Sequence, residues 1–176
     1  VGLIYNTTMV SEKPDSWSVM WDPKYSGEIL TFNNSRDAFG VAQYLLGYDV
    51  NSTNPDEWRA AEEKLKEQKP LIQSYVMDEV FNKMEAGEAA MAPYYAGDYL
   101  TMKQENDDLA FVYPKEGTNK FVDVMCIPSS SENKKAAELF INYMCEPEVA
   151  LHNANYLGYL CPVTAVLSDD RYEYKD

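Results

Sequence analysis

The sequence predicts an α/β layer fold with a mixed, mostly parallel sheet flanked by helices. Strand-like and helix-like segments alternate along the chain, and caps, prolines and glycines punctuate the changeovers. With 176 residues, 45% of them hydrophobic, the chain can also bury a sizeable core.

Five apolar runs read as strands: Gly2 to Asn6, Glu28 to Phe32, Ala89 to Tyr95, Leu109 to Tyr113 and Phe121 to Ile127. The first is an apolar run with no cap or turn before it, as expected of a strand entered part-way through a longer protein. Trp17 and Trp21, four residues apart, predict a core stripe on one short helix. Ser35 to Leu46 carries Phe39, Ala42, Leu45 and Leu46 at helical spacing, with Gly47 as its stop. Asn54-Pro55-Asp56-Glu57 supplies a cap, a first-turn proline and first-turn acids ahead of Trp58, Ala61 and Leu65. Asp78 is expected to cap a short helix ending at Ala86 and Gly87. Ser131 or Asn133 opens a helix holding Ala136, Leu139, Phe140 and Tyr143, and Pro147 starts another that reaches about Leu157. Lys115-Glu116-Gly117 reads as a structural turn, and Trp58 as a packing residue. The polar tail from Ser168 to Asp176 is a loop, a frayed end or an interrupted segment.

A formal charge of −14 and a pI near 4.4 argue against nucleic acid as a partner, because phosphate neutralisation needs clustered Lys and Arg. An acidic surface suits a cationic ligand, and is also common among soluble proteins. No stretch approaches the roughly eighteen apolar residues of a membrane span, and the first residues lack the basic and apolar regions of a signal peptide. Cys126, Cys145 and Cys161 show no CxxC spacing, so buried free thiols are expected, with a Cys145 to Cys161 bridge as the alternative. His152, the single histidine, reads as a surface helix residue.

There is no Gly-rich phosphate loop, no HExxH, no GxSxG and no second histidine for a triad. The chain is therefore read as a binding module and not an enzyme, with no cofactor and no metal; a pair of carboxylates acting as a hydrolase is the enzymatic alternative. Fourteen tyrosines stand out, among them Tyr5, Tyr94, Tyr95, Tyr99 and Tyr113 near strand ends. Aromatic faces beside carboxylates are what an alkylammonium group requires, although each tyrosine taken singly reads rather as a rim residue of the core.

Ser16-Trp17, Trp21-Asp22-Pro23-Lys24-Tyr25-Ser26-Gly27, Asn33-Asn34-Ser35-Arg36-Asp37-Ala38-Phe39 and Leu46-Gly47-Tyr48 follow one another in the first third of the chain. Gly87-Glu88, Tyr113-Pro114-Lys115-Glu116-Gly117, Asp123 with Ile127-Pro128, and Gly158-Tyr159 with Pro162 continue the series. In this order and spacing the chain resembles the polyamine (spermidine/putrescine) solute-binding proteins of ABC importers, over nearly its whole length. The resemblance implies one lobe of a two-lobed type II periplasmic binding protein plus a segment returning to the other lobe. On that reading residues 1–122 form the second-lobe ligand-binding domain, 123–160 a crossing strand and returning helices, and 161–176 a C-terminal loop or tail. The first lobe's opening elements and the C-terminal helices would lie outside this sequence.

The resemblance also implies ligand-binding residues. Asn34 and Asp37 stand where the family commonly has carboxylates at a helix start, so Asn34 keeps an acceptor but loses a charge. Tyr95 and Phe121 stand in the places of pocket tryptophans, and Asp123 is the carboxylate of the crossing strand. The implied ligand is a polyamine or related amine, the implied partners are the permease subunits of an ABC importer, and the implied location is extracytoplasmic. The neighbouring Tyr94 and Tyr95 leave a second solute open, ferric iron held by tyrosinates. An apolar face at Met125 to Ile127 and at Leu139, Phe140 and Tyr143 is expected to be exposed and to promote self-association of the isolated chain.

Overall fold

A computed structural model describes residues 1–174. The chain divides into two compact units, Val1–Lys120 and Phe121–Asp176.

The first unit is a five-stranded sheet with helices against it. Its strands are β1 (Gly2–Asn6), β2 (Ile29–Phe32), β3 (Ile72–Val76), β4 (Met91–Tyr94) and β5 (Leu109–Val112), in the order β3-β2-β4-β1-β5. All five residues of β1 are buried, as befits an apolar strand with neighbours on both sides. β1 runs antiparallel to β4, with Gly2 opposite Tyr94 and Tyr5 opposite Met91, and antiparallel to β5, with Leu3 opposite Val112. β2 runs parallel to β3 and β4. Two interfaces are thus parallel and two antiparallel, so the expected predominance of parallel pairing is corrected: β1 enters between β4 and β5 against both. Pro93 explains the thin β2–β4 ladder, whose only register pair is Ile29 with Met91, since proline has no N–H to give. Gly2 lets the Phe111 ring lie against the β1 backbone: a Cβ there would come within 2.2 Å of the end of that ring and would have to displace it.

The helices of this unit are α1 (Ser35–Leu45), α2 (Pro55–Gln68), α3 (Glu79–Glu85) and α4 (Ala96–Glu105). Asn34 and Asn54 cap α1 and α2 through their side chains, accepting from Arg36 N–H and Asp56 N–H. Trp58 is a packing residue: its ring lies 5.4 Å from that of Phe39, and its indole donates to Ser52 O at 2.7 Å. Asp78 stands at the start of α3 without capping it; the Glu79 carboxylate accepts the Met77 N–H instead. Two elements escape the sequence reading. β3 is an edge strand whose residues are mostly half-exposed, which dilutes the alternation, and α4 buries only Gly97 and Met102 and has no side-chain cap.

Trp17–Trp21 forms a 3-10 helix rather than an α-helix. Trp17 is fully buried, and Trp21 packs beside the core with its indole donating to Lys64 O at 2.8 Å. The turn at Lys115 to Gly117 clips this helix in place. Glu116 accepts from the Ser16 hydroxyl and, at 3.2 Å, from the Trp17 N–H, while the Trp17 indole donates to Gly117 O at 2.8 Å. Gly117 has φ +93°, which a Cβ would oppose.

The second unit contains α5 (Lys134–Met144), α6 (Pro147–Leu157) and the short α7 (Thr164–Leu167). Ala150, Leu151 and Ala154 of α6 bury a small core with Cys161, Val166 and Tyr172. The tail is packed as far as Tyr174: the Tyr172 hydroxyl accepts the Cys161 N–H at 3.1 Å and donates to Tyr159 O at 3.2 Å. Arg171 pairs with both Glu148 and Asp169. Lys175 and Asp176, the last residues of the polar tail, lie outside the described residues.

Phe121 to Ile127 forms no strand, contrary to expectation. Strand formation needs a neighbouring strand, and no ladder of the sheet takes in this segment among the described residues. The cysteines are free, and only Cys161 is buried; the exposure of Cys126, between Phe121 and Ile127, and of Cys145, at the end of α5, corrects the expectation of buried thiols. α5 has no buried residue, with Leu139 at 61%, Phe140 at 58% and Tyr143 at 57% exposure. His152 is exposed on α6, as expected. Among the described residues no helix is long and apolar enough to cross a membrane.

Removing the Glu116 side chain leaves the Ser16 hydroxyl and the Trp17 N–H without their partner. Glu116→Ala is expected to lower the unfolding free energy by about 1–3 kcal/mol, read from the urea midpoint, with Glu116→Gln intermediate.

Candidate functional site

β2 ends at Phe32, and the chain turns through Asn33 and Asn34 into α1. This turn brings Asp37 into the first helical turn, where the helix dipole favours a carboxylate. Asp37 is 8% exposed. β4 ends at Tyr94 and delivers Tyr95, whose hydroxyl donates to Asp37 Oδ2 at 2.8 Å. The Asn34 amide donates to the same oxygen at 2.8 Å, and the Asn119 amide donates to Oδ1 at 3.0 Å. Phe32 supports the tyrosines from below, its ring 5.7 Å from each of theirs.

The structure therefore brings Asn34, Asp37 and Tyr95 together in the first unit. Phe121 and Asp123 belong to the second, on the segment without regular structure; Phe121 is 43% exposed and Asp123 is exposed. The side chain of Asn34 serves differently from the acceptor expected of it. Its oxygen caps α1 by accepting the Arg36 N–H at 3.0 Å, and its nitrogen is a donor to Asp37. Tyr95, singled out for its ring face, acts through its hydroxyl as well. Asn119 is the member of the cluster that sequence reasoning missed; it follows a turn motif read as purely structural, and an isolated asparagine carries no spacing signal.

The charge balance of the cluster is one-sided. A carboxylate this buried is ordinarily paired with a cation, yet among the described residues Asp37 makes no ion pair, and the hydrogen bonds it accepts from Asn34, Tyr95 and Asn119 come from neutral donors. The Val1 amino group feels the Asp37 charge, which opposes the lowering of its pKa by burial, but its hydrogen bond goes to Asn119 O. The Tyr95 pKa is raised, first by burial and then by its hydrogen bond to Asp37, so the phenol keeps its proton and remains a donor at neutral pH. Tyr94, 2% exposed, is pushed up to about 12, mainly by burial and then by Asp98.

A cleft of about 290 Å³ adjoins the cluster, lined by Phe32, Asn34, Phe39 and Tyr75 among others. Asn34 is common to both. A larger depression of about 380 Å³ at residues 12–25 contains none of the cluster residues and is walled by charges of both signs. Among the described residues no three His, Cys, Asp or Glu side chains converge as metal ligands would.

The chain belongs to the bacterial extracellular solute-binding proteins, whose family profile matches residues 1–175. The spermidine/putrescine-binding periplasmic protein of Escherichia coli (strain K12) is 33% identical over 147 residues, which cover 84% of this chain and 42% of that protein. Among solved structures, the spermidine/putrescine ABC transporter substrate-binding protein PotD of Streptococcus pneumoniae superposes with a TM-score of 0.81 at 33% identity, covering 99% of this chain and 56% of that one. A Listeria monocytogenes chain described as a spermidine/putrescine ABC transporter does so with a TM-score of 0.88 at 36% identity, again covering 99% and 56%. The chain thus spans about half the length of the relatives it matches. The fold is that of type II periplasmic binding proteins, and the relatives are solute-binding proteins rather than enzymes.

The ferric reading of Tyr94 and Tyr95 finds no support. Tyrosinate ligands must lose their protons, and burial raises both pKa values, while the Tyr95 hydroxyl is engaged with Asp37. The same shift makes stability depend on alkaline pH. The folded protein holds the Tyr94 proton after the unfolded chain has released it, so the stabilisation is fully present below the ordinary value of 10.0 and is lost as pH rises through about 12. Denaturant midpoints measured across that window are expected to fall in the parent protein and to fall less in Tyr94→Phe.

Proposed function

We propose that this chain supplies amine-binding residues of an extracytoplasmic solute-binding protein that serves an ABC importer, with a polyamine such as putrescine or spermidine as its ligand. One observation carries the reading: Asp37 is a nearly buried carboxylate with neutral donors around it and, among the described residues, no ion-pair partner. A ligand ammonium is the missing charge. Removing an ammonium from water costs many kcal/mol by idealised estimates, on the order of 20 for full transfer to a dry interior. The site has to return that cost as charge-assisted hydrogen bonds and aromatic contact. In this reading Asp37 and Asp123 accept from the ammonium groups, Tyr95 and Phe121 line the methylenes, and Asn34 orients Asp37.

The printed names of the relatives support the ligand class, since they bind spermidine and putrescine, and the location, since they are periplasmic. The permease subunits of the importer are the partner. Residues 1–122 are assigned to the second lobe, 123–160 to the crossing segment and returning helices, and 161–176 to the C-terminal tail. The exposed apolar residues of the second unit, Val122, Val124, Met125, Leu139, Phe140 and Tyr143, are assigned to self-association of the isolated chain.

Two measurements test this. In the full-length protein, Asp37→Asn or Asp123→Asn is expected to weaken putrescine and spermidine binding by roughly 2–5 kcal/mol in calorimetry, with Trp58→Phe as an unaffected control; unchanged affinity in the two Asp variants refutes the site. Size-exclusion chromatography of the 176-residue chain is expected to show a concentration-dependent shift to larger species. A strict monomer at high concentration removes the self-association assignment.

A further inference from the structure

Asn119 enters the cluster from the far end of the first unit, 82 positions after Asp37. Its backbone is held independently of its side chain: its carbonyl accepts from the Val1 nitrogen at 3.3 Å, and the hydroxyl of neighbouring Thr118 donates to Val1 O at 2.6 Å. Residues 118 and 119 are therefore tied to Val1, just ahead of β1, and this tether holds the Asn119 amide beside Asp37.

The distribution of donors over the carboxylate is uneven. An ionised carboxylate offers about four acceptor directions, roughly two on each oxygen. Oδ2 has both occupied, by Asn34 and by Tyr95, while among the described residues Oδ1 accepts from Asn119 alone. One acceptor direction stays open, and it lies on the oxygen that Asn119 holds. Asn34 and Tyr95 reach Asp37 through a single oxygen, about which the carboxylate can still swing; the hydrogen bond from Asn119 to the other oxygen fixes its plane.

We infer that Asn119 is a positioning residue for amine recognition: by fixing Asp37 Oδ1 it aims the one open acceptor direction of that carboxylate at the ligand ammonium. The inference rests on the amine-site reading given above. Asn119 has no formal charge and leaves Asp37 as the sole carboxylate of the cluster, so ligand binding in the parent protein is not coupled to a second carboxyl group at this position.

The test uses the full-length protein with putrescine and spermidine as probes, in calorimetry at a series of pH values. Asn119→Ala is expected to weaken both by about tenfold, the size of one charge-linked hydrogen bond. Asn119→Asp sets a second carboxylate against Asp37, and two carboxylates sharing a site raise the pKa of one of them. Amine affinity in that variant is expected to climb with pH more steeply than in the parent protein; a role confined to folding would not move this profile. Lost binding in Asp37→Asn together with parent-like affinity in Asn119→Ala and a parent-like pH profile in Asn119→Asp overturns the role of Asn119 alone. Unchanged binding in Asp37→Asn overturns the amine site and this inference with it. Should Asn119→Ala fail to fold, the pH profile of Asn119→Asp decides.

Discussion

The burial of β1 between β4 and β5 is the constraint on which the first unit depends. A strand with both edges paired and all five residues buried cannot shift register without breaking two ladders and turning its apolar residues to the wrong face. Its antiparallel pairing with β4 puts Gly2 opposite Tyr94 and so places the start of α4, with Tyr95, beside the entry to β1. Its pairing with β5 leads the chain onward to Glu116, which anchors Trp17, and to Asn119, which returns to Asp37. The candidate site is assembled at this crossing from residues far apart in sequence, and only α1 contributes two of them locally.

Within that frame the electrostatics follow from which donors are neutral. Two asparagine amides and a phenol satisfy Asp37 without cancelling its charge, so the carboxylate remains a source of negative potential in a nearly dry setting. Had an arginine stood at position 34 or 119, the same oxygens would be satisfied and the attraction for a cationic ligand would be spent internally. The Tyr95 phenol takes part on compatible terms: burial and the adjacent carboxylate both raise its pKa, so it stays protonated and keeps donating.

Most of the fold was legible because apolar periodicity and capping act locally. Asn34, Asn54 and Pro55 mark helix starts by the hydrogen bonds they make or forgo, and β1 announces itself by continuous apolarity. β3 was not legible, since its exposed edge relaxes the demand for alternation, and α4 begins directly after β4 with no cap residue to flag it. The strand anticipated at Phe121 to Ile127 illustrates the converse. Its apolar residues satisfy the pattern, yet a strand is a pairing and not a property of a segment, and Val122 and Val124 are 73% and 79% exposed. For the site, the family pattern pointed to Asn34, Asp37 and Tyr95, which cluster in the first unit, and to Phe121 and Asp123, which belong to the second. Asn119 stayed hidden because its partnership with Asp37 is a product of tertiary contact, invisible to spacing along the chain.

The two asparagines of the cluster also show why residue type alone misassigns roles. Asn34 looks like an uncharged substitute for a ligand-contacting acid, but helix capping claims its oxygen, and what it offers Asp37 is its N–H pair. An aspartate at that position could cap α1 equally well through a carboxylate oxygen. It could not donate, and it would stand against Asp37 as a second negative charge that only a bound cation relieves. With asparagine at 34 the cluster carries one carboxylate rather than two, which lowers the cost of holding Asp37 buried and also lowers the charge that a cation would meet there. The balance between those two effects is set by the neutral donors at positions 34 and 119.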